Sequence, residues 1–481
     1  MQILKRIFTA LLLIIAVLAL ALWLKPPQLL RVGANYSAKI VCSNVFLAGR
    51  DPDEVLHLDV QAPGIAVLRV MHVSVDRDRG IVRAGFLGFI GDGLAQWHPG
   101  KGCTVLPDGK LDPEPLPAHA ESPPASPASV PAAGLAAAAA VTRTAETRAA
   151  GSTTAPWPDG TAVSTNAALD KVLMNDTLAG PGARALVVVD HGRIVAERYA
   201  PGFTPATPLL GWSMTKTVLA GVIGMLVKDG KLSLDQAGLW PGVTDGREKI
   251  KVADLLAMSS GLQWNEAYGA VSDVTGMLYL QPDMAAFARS QPLAHPVGDV
   301  WSYSSGTAVI LSRIAQESSS EDIFKYIDTR LFGPLSMGSA IIERDEHGTP
   351  VGSSYMYATA RDWARYGQFL LQDGVWQGQE LLPSGYVAMM ATPVAASGGQ
   401  YGKGQTWLWG SDAAIPNVNP DAAFDIPADT FWMSGHDGQN IAIIKSRQLV
   451  IVRLGLTPYA AGYSPQGLVK AVLEATRNPS S

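Results

Sequence analysis

The chain has 481 residues, 47% of them hydrophobic and 16% charged, with a formal net charge of -5. That balance is normal for a globular protein carrying an added apolar segment, and without a basic patch it excludes nucleic acid as an expected partner. The eight His are scattered without metal-ligand spacing, and two Cys cannot make a zinc site by themselves, so no metal or other cofactor is expected.

In chain order, Lys5 and Arg6 come first, ahead of an almost unbroken apolar run from Ile7 to Leu24. A run of this length predicts a membrane anchor or signal segment over residues 1–25, and the leading positive charge keeps the N-terminus in the cytoplasm. The expected location is the cell inner membrane, with the rest of the chain periplasmic. Residues 26–110 read as a small β-rich module. Val70–Val75 and Ile81–Phe86 alternate around Asp76-Arg77-Asp78-Arg79-Gly80, which predicts a hairpin. Cys42 and Cys103 bracket this module, and an exported chain would allow them to pair. Residues 111–156 are rich in Pro, Ala and Ser, bury little, and read as a linker.

The remainder, 157–481, reads as an α/β domain. Hairpins are predicted over Leu186–Val189 with Arg193–Arg198, and over Asn440–Ile444 with Leu449–Leu454. Helices are predicted over Ser213–Lys228, Thr307–Gln316, Thr359–Leu371 and from Ser464-Pro465 to Arg477. Thr359 and Asp362 have the spacing of a capping box. Hairpins at both ends with helices between predict an antiparallel sheet flanked by helices, with a mostly helical lobe.

Ser213-Met214-Thr215-Lys216 opens the first of these helices. At spacing i, i+3 the two side chains share a face, so the lysine amine reaches the serine hydroxyl. Burial disfavours the ammonium and makes the amine a base for the serine proton. The helix N-terminus supplies N–H groups that stabilise a developing oxyanion. The spacing alone arises about once by chance in such a chain, so its weight comes from position and company. Tyr303, ahead of the second helix, is a phenol suited to shuttling a proton. Ser434-Gly435-His436-Asp437-Gly438-Gln439 leads into the last hairpin, with small residues that allow close approach of a substrate backbone.

Together these three segments resemble the serine β-lactamase and penicillin-binding-protein-like hydrolases. Within them the chain is similar to class C-like esterases, D-amino-acid amidases and D-aminopeptidases, and 6-aminohexanoate-dimer hydrolases. Those enzymes carry Ser-x-x-Lys, then Tyr-x-Asn or a variant, then Lys-Thr-Gly or His-x-Gly. Here the order is Ser213…Lys216, Tyr303…Ser305 and His436…Gly438. The resemblance covers roughly 157–478. It implies Ser213, Lys216 and Tyr303 as catalytic residues and Ser305, His436 and Gly438 as substrate-binding ones. The substrate it implies is a small amide or ester, cleaved through an acyl-enzyme. Two departures stand out: Ser305 replaces the family's Asn, and His436, a cation only when protonated, replaces its Lys. A permanent cation suits a penicillin's carboxylate, so esterase or amidase chemistry is expected ahead of β-lactam hydrolysis.

Two other readings compete. A Ser-His-Asp hydrolase would use Ser213 and His436, but the chain lacks Gly-x-Ser-x-Gly at Ser213 and the parallel sheet that elbow needs. A catalytically weak envelope protein would use the same cleft to bind peptidoglycan or a protein partner.

Overall fold

The computed structural model describes residues 2–62, 64–111, 155–410 and 418–477. The expected linker, 111–156, lies almost wholly outside them. The described chain divides into two compact units.

The first unit holds the described residues up to 111, with Glu266–Pro282 and Asp345–His347 added from far downstream. It begins with helix α1 (Gln2–Leu24), followed by helix α2 (Gln28–Ala48). Strands β1 (Met71–Asp76), β2 (Ile81–Phe86), β3 (Ile90–His98) and β4 (Gly102–Val105) then form an antiparallel meander. The hairpin expected around Asp76–Gly80 is β1–β2, with Met71 opposite Phe86 and Asp76 opposite Ile81. The module is not simply β-rich, because α2 is buried along most of its length and packs over the sheet. Periodicity in Gln28–Ala48 misleads because both faces are covered: even Asn35, Ser37 and Lys39 are buried. Contact is closest at Gly93, where a Cβ would stand 2.3 Å from the backbone of Ala34. Asn35 joins three elements: its Oδ1 accepts from Leu94 N at 3.1 Å and its Nδ2 donates to Tyr279 O at 2.7 Å. Tyr279 belongs to the downstream helix Asp273–Leu280 and meets Tyr36 edge to face at 5.7 Å. Cys42 on α2 and Cys103 on β4 form a disulfide.

The expected membrane segment finds no support in the structure. Among the described residues no helix is long and apolar enough to cross a membrane. Helix α1 does form, with large apolar side chains such as Leu11, Ile14 and Trp23 exposed.

The second unit is built on five antiparallel strands. β5 (Ala183–Asp190) and β6 (Arg193–Tyr199) are the first predicted hairpin; β8 (Gln439–Ile444) and β9 (Leu449–Gly455) are the second. β7 (Thr430–Gly435), unread in the sequence, completes the order β7-β8-β9-β5-β6. Four helices position the site: α3 (Met214–Lys228), α4 (Ser305–Ser318), α5 (Ala360–Leu371) and α6 (Gln466–Arg477). Alternation along the strands separates two faces. Leu449, Ile451, Ala442 and Ile444 join Leu468, Val472 and Leu473 of α6 in one core. Val450 and Ile441 point the other way, toward Gly367 of α5, where a Cβ would lie 2.6 Å from Val450 Cγ1. Thr359 caps α5 by accepting from Asp362 N at 3.2 Å. The return half of the capping box is diverted, since Asp362 Oδ2 takes the N–H and hydroxyl of Ser339 at 2.9 and 2.6 Å.

Candidate active site

Ser213 sits where a short strand meets α3. Leu209–Leu210 pairs with Met356–Ala358, and Gly211 N donates to Met356 O at 2.9 Å. Gly211 has to be glycine, because a Cβ there would lie 2.2 Å from the Trp363 ring. Trp212 then adopts φ 47°, a left-handed conformation that is costly for a bulky residue. Thr215 holds this turn by donating to Trp212 O at 2.7 Å and accepting from Met356 N at 3.2 Å. Ser213 occupies the N-cap position yet makes no side-chain cap bond. Its hydroxyl meets the lysine instead.

Lys216 is 1% exposed. Its Nζ lies 3.0 Å from Ser213 Oγ, 3.1 Å from Ser305 Oγ and 2.9 Å from Ser353 O, all within hydrogen-bond distance. The i, i+3 geometry expected from the sequence is therefore present. Ser305 lies at the first position of α4, two residues earlier than the predicted helix start, with Ser304 capping through Thr307 N at 3.0 Å. At this position the short hydroxyl of Ser305 still reaches the amine, although the family's longer amide is missing. Tyr303 presents its ring to the same amine, with Lys216 Nζ 4.8 Å from the ring centroid.

His436, Asp437 and Gly438 form the turn between β7 and β8. Asp437 takes φ 57° and Gly438 φ 78°. Gln439 clamps the turn: its Nε2 donates to the carbonyls of His436, Asp437 and Gly455 at 3.2, 3.1 and 2.6 Å. Arg453 Nη1 adds a bond to Gly438 O at 2.7 Å. His436 is 38% exposed, its Nε2 stands 3.5 Å from Asp437 Oδ1, and its ring meets Trp212 edge to face at 5.6 Å. Burial pushes the Asp437 carboxyl above the ordinary aspartate range, with His436 and Arg184 pulling the other way. The two halves of the site touch at Gly435, where a Cβ would lie 2.2 Å from Gly211 O.

Of the six residues singled out in the sequence, Ser213, Lys216, Ser305 and Tyr303 form one contact group around the amine. His436 and Gly438 form the turn that faces Trp212. Sequence reasoning missed Ser353, which acts through a backbone carbonyl and so leaves no side-chain signal. It also missed Trp212 and Gln439, whose roles depend on packing, although both directly flank motif residues.

This fold and this serine–lysine pair define an enzyme of the serine hydrolase class. A family model described as Beta-lactamase matches residues 173–465, and the chain belongs to that family. Among curated proteins it is 24% identical over 306 residues to a 6-aminohexanoate-dimer hydrolase of Paenarthrobacter ureafaciens, spanning 57% of this chain and 72% of that protein. An uncharacterised Mycobacterium tuberculosis protein is 29% identical over 240 residues, 37% of this chain and 58% of its own length. Solved structures agree in fold. A penicillin-binding protein homologue from Caulobacter crescentus superposes with TM-score 0.50 at 18% identity, over 64% of this chain and 97% of that one. A family VIII carboxylesterase does so with TM-score 0.50 at 16% identity, over 64% and 96%.

Proposed function

We propose that this protein cleaves small amides or esters through an acyl-enzyme on Ser213. Lys216 is the base. In its uncharged form the amine turns its lone pair to the Ser213 proton while its N–H groups face Ser305 Oγ and Ser353 O. Ser213 Oγ bonds to the substrate carbonyl carbon, the bond to the leaving group breaks, and Tyr303 passes the serine proton to that group. Water then hydrolyses the acyl-serine and releases the acid. The Ser213 N–H, with a second N–H from the region of Gly438 to Asn440, holds the oxyanion. His436 binds substrate. The contact of Lys216 with Ser213 is the observation that carries this reading.

The test is direct. Purified protein is assayed on p-nitrophenyl esters, D-amino-acid amides and nitrocefin, then repeated with Ser213→Ala and Lys216→Ala. Both variants should lose roughly three or more orders of magnitude of kcat, because such groups act as a unit. Turnover retained in Ser213→Ala would overturn the mechanism and favour a cleft that only binds. A collapse in His436→Ala as deep as in Ser213→Ala, with Lys216→Ala still active, would instead make His436 the base.

We also propose a location outside the cytoplasm, on the periplasmic side of the inner membrane. The Cys42–Cys103 disulfide supports it, since such bonds persist in oxidising compartments. Protease added to spheroplasts should digest the hydrolase unit, and full protection would place it inside. Sedimentation with or without membranes reads what the exposed apolar side chains of α1 contact.

A further inference from the structure

Four aromatic rings gather beside Lys216. Tyr303 lies against Trp407 with centroids 5.4 Å apart and planes 33° apart. Trp301 and Tyr401 close the group, Trp301 at 6.1 Å and Tyr401 at 5.1 Å from Trp407, both near perpendicular to it. Tyr401 is buried, but Trp301, Tyr303 and Trp407 each keep part of their surface exposed. Trp407 packs against the core beneath it and still keeps part of its ring exposed.

The loop that carries Trp407 adds a second observation. Gln405 holds φ 56° and is 1% exposed. Neither of its amide atoms finds a hydrogen-bond partner among the described residues. Left-handed strain and an unsatisfied buried amide are both costly, and they accumulate where a loop is held for function. The backbone of Trp407 is fixed by two bonds to Trp432, at 2.9 and 2.7 Å, so its ring is preorganised. The nearby Lys216 amine already bridges three protein oxygens and stands behind Tyr303.

We infer that Trp301, Tyr303 and Trp407 form a subsite for an aromatic leaving group, an aryl-bearing alcohol or amine. The inference rests on the proposed acyl-enzyme reading. Tyr303 hands the proton to the departing oxygen or nitrogen, so a wall continuous with Tyr303 borders the leaving group. During acylation the ester C–O bond breaks, the carbonyl carbon joins Ser213 Oγ, and the aryl alcohol leaves with the proton from Tyr303.

The test compares 2-phenylethyl acetate with butyl acetate, which share an acyl group and have leaving alcohols of similar acidity. Full-length wild type should favour the phenylethyl ester in kcat/KM. Trp407→Leu and Trp407→Ala should lower kcat/KM on that ester roughly 10- to 100-fold and on the butyl ester less than about 3-fold, with Trp407→Phe restoring the preference. Equal losses on both esters in the Leu and Ala variants, or no wild-type preference, would overturn the subsite. Ser213→Ala separates the two claims: if it still hydrolyses both esters, the acyl-enzyme reading has failed, whatever Trp407 does.

Discussion

At the scale of single residues, the site depends on backbones that approach without side chains between them. Gly435 has φ -131° and ψ 160°, an extended conformation open to any residue, so its need for glycine comes from close neighbours, chiefly Gly211 O. A methyl group there would push the Ser213 turn away from the end of β7. Gly435→Ala should therefore lower kcat/KM by roughly 100-fold, as small displacements of reacting groups do. Overpacking costs about 1–3 kcal/mol, so its urea midpoint should fall as well. Wild-type activity would mean that the close approach is not needed. Asp437 gives a pH prediction. Burial raises its carboxyl above the ordinary aspartate range, so on raising the pH the unfolded chain loses this proton first. Stability from the protonated form is present below the unfolded value and is lost as pH rises through the folded one. Asp437→Asn, tolerated at φ 57°, removes that loss. The stability difference between variant and wild type should grow from about pH 4 upward and then level off above the folded value. A difference independent of pH would show that Asp437 is not held protonated by burial.

At the scale of elements, α3 is fixed by two tyrosines that occupy space left by glycines. Tyr366 donates to Thr217 O and Tyr386 to Ala220 O, each at 2.9 Å. Burial drives both phenols far above their usual range, so they remain donors at any working pH. A Cβ on Gly221 would stand 2.4 Å from Tyr366 Oη. Helix propensity favours Ala over Gly by about 1 kcal/mol, whereas overpacking costs about 1–3 kcal/mol. The second effect wins because the tyrosine is buried and cannot retreat. Gly221→Ala should destabilise the hydrolase unit in urea unfolding, and adding Tyr366→Phe should recover part of the loss. A Gly221→Ala variant more stable than wild type would show that propensity dominates.

At the scale of the whole molecule, the first unit is closed by chain segments far apart in sequence. The disulfide spans 61 residues and ties α2 to β4. Replacing Cys42 and Cys103 by Ala should destabilise that unit by about 2–4 kcal/mol, chiefly by freeing the unfolded chain. Hydrogen exchange of β2 and β3 amides reads the effect locally, and unchanged protection would mean that helix packing alone holds the sheet. Residues 266–282, which add Tyr279 to the same unit, lie among hydrolase sequence and carry no compositional mark of belonging elsewhere.

Local pattern was enough for the hairpins β1–β2, β5–β6 and β8–β9, for α3, α5 and α6, and for the Ser213–Lys216 pair. Each rests on spacing within a few residues, so strand alternation, helical repeat and capping chemistry are visible along the chain. The burial of α2 was not legible, because a helix covered on both faces has no polar stripe to give its period away. β7 escaped for a similar reason, its strand being buried on both sides from Thr430 to Met433. The partners of Lys216 at Ser305 and Ser353, 89 and 137 residues away, and the meeting of Gly435 with Gly211 depend on long-range packing. Sequence determined which groups could react. Only the tertiary structure decided which of them share one amine, because distance through space is set by packing and not by position along the chain.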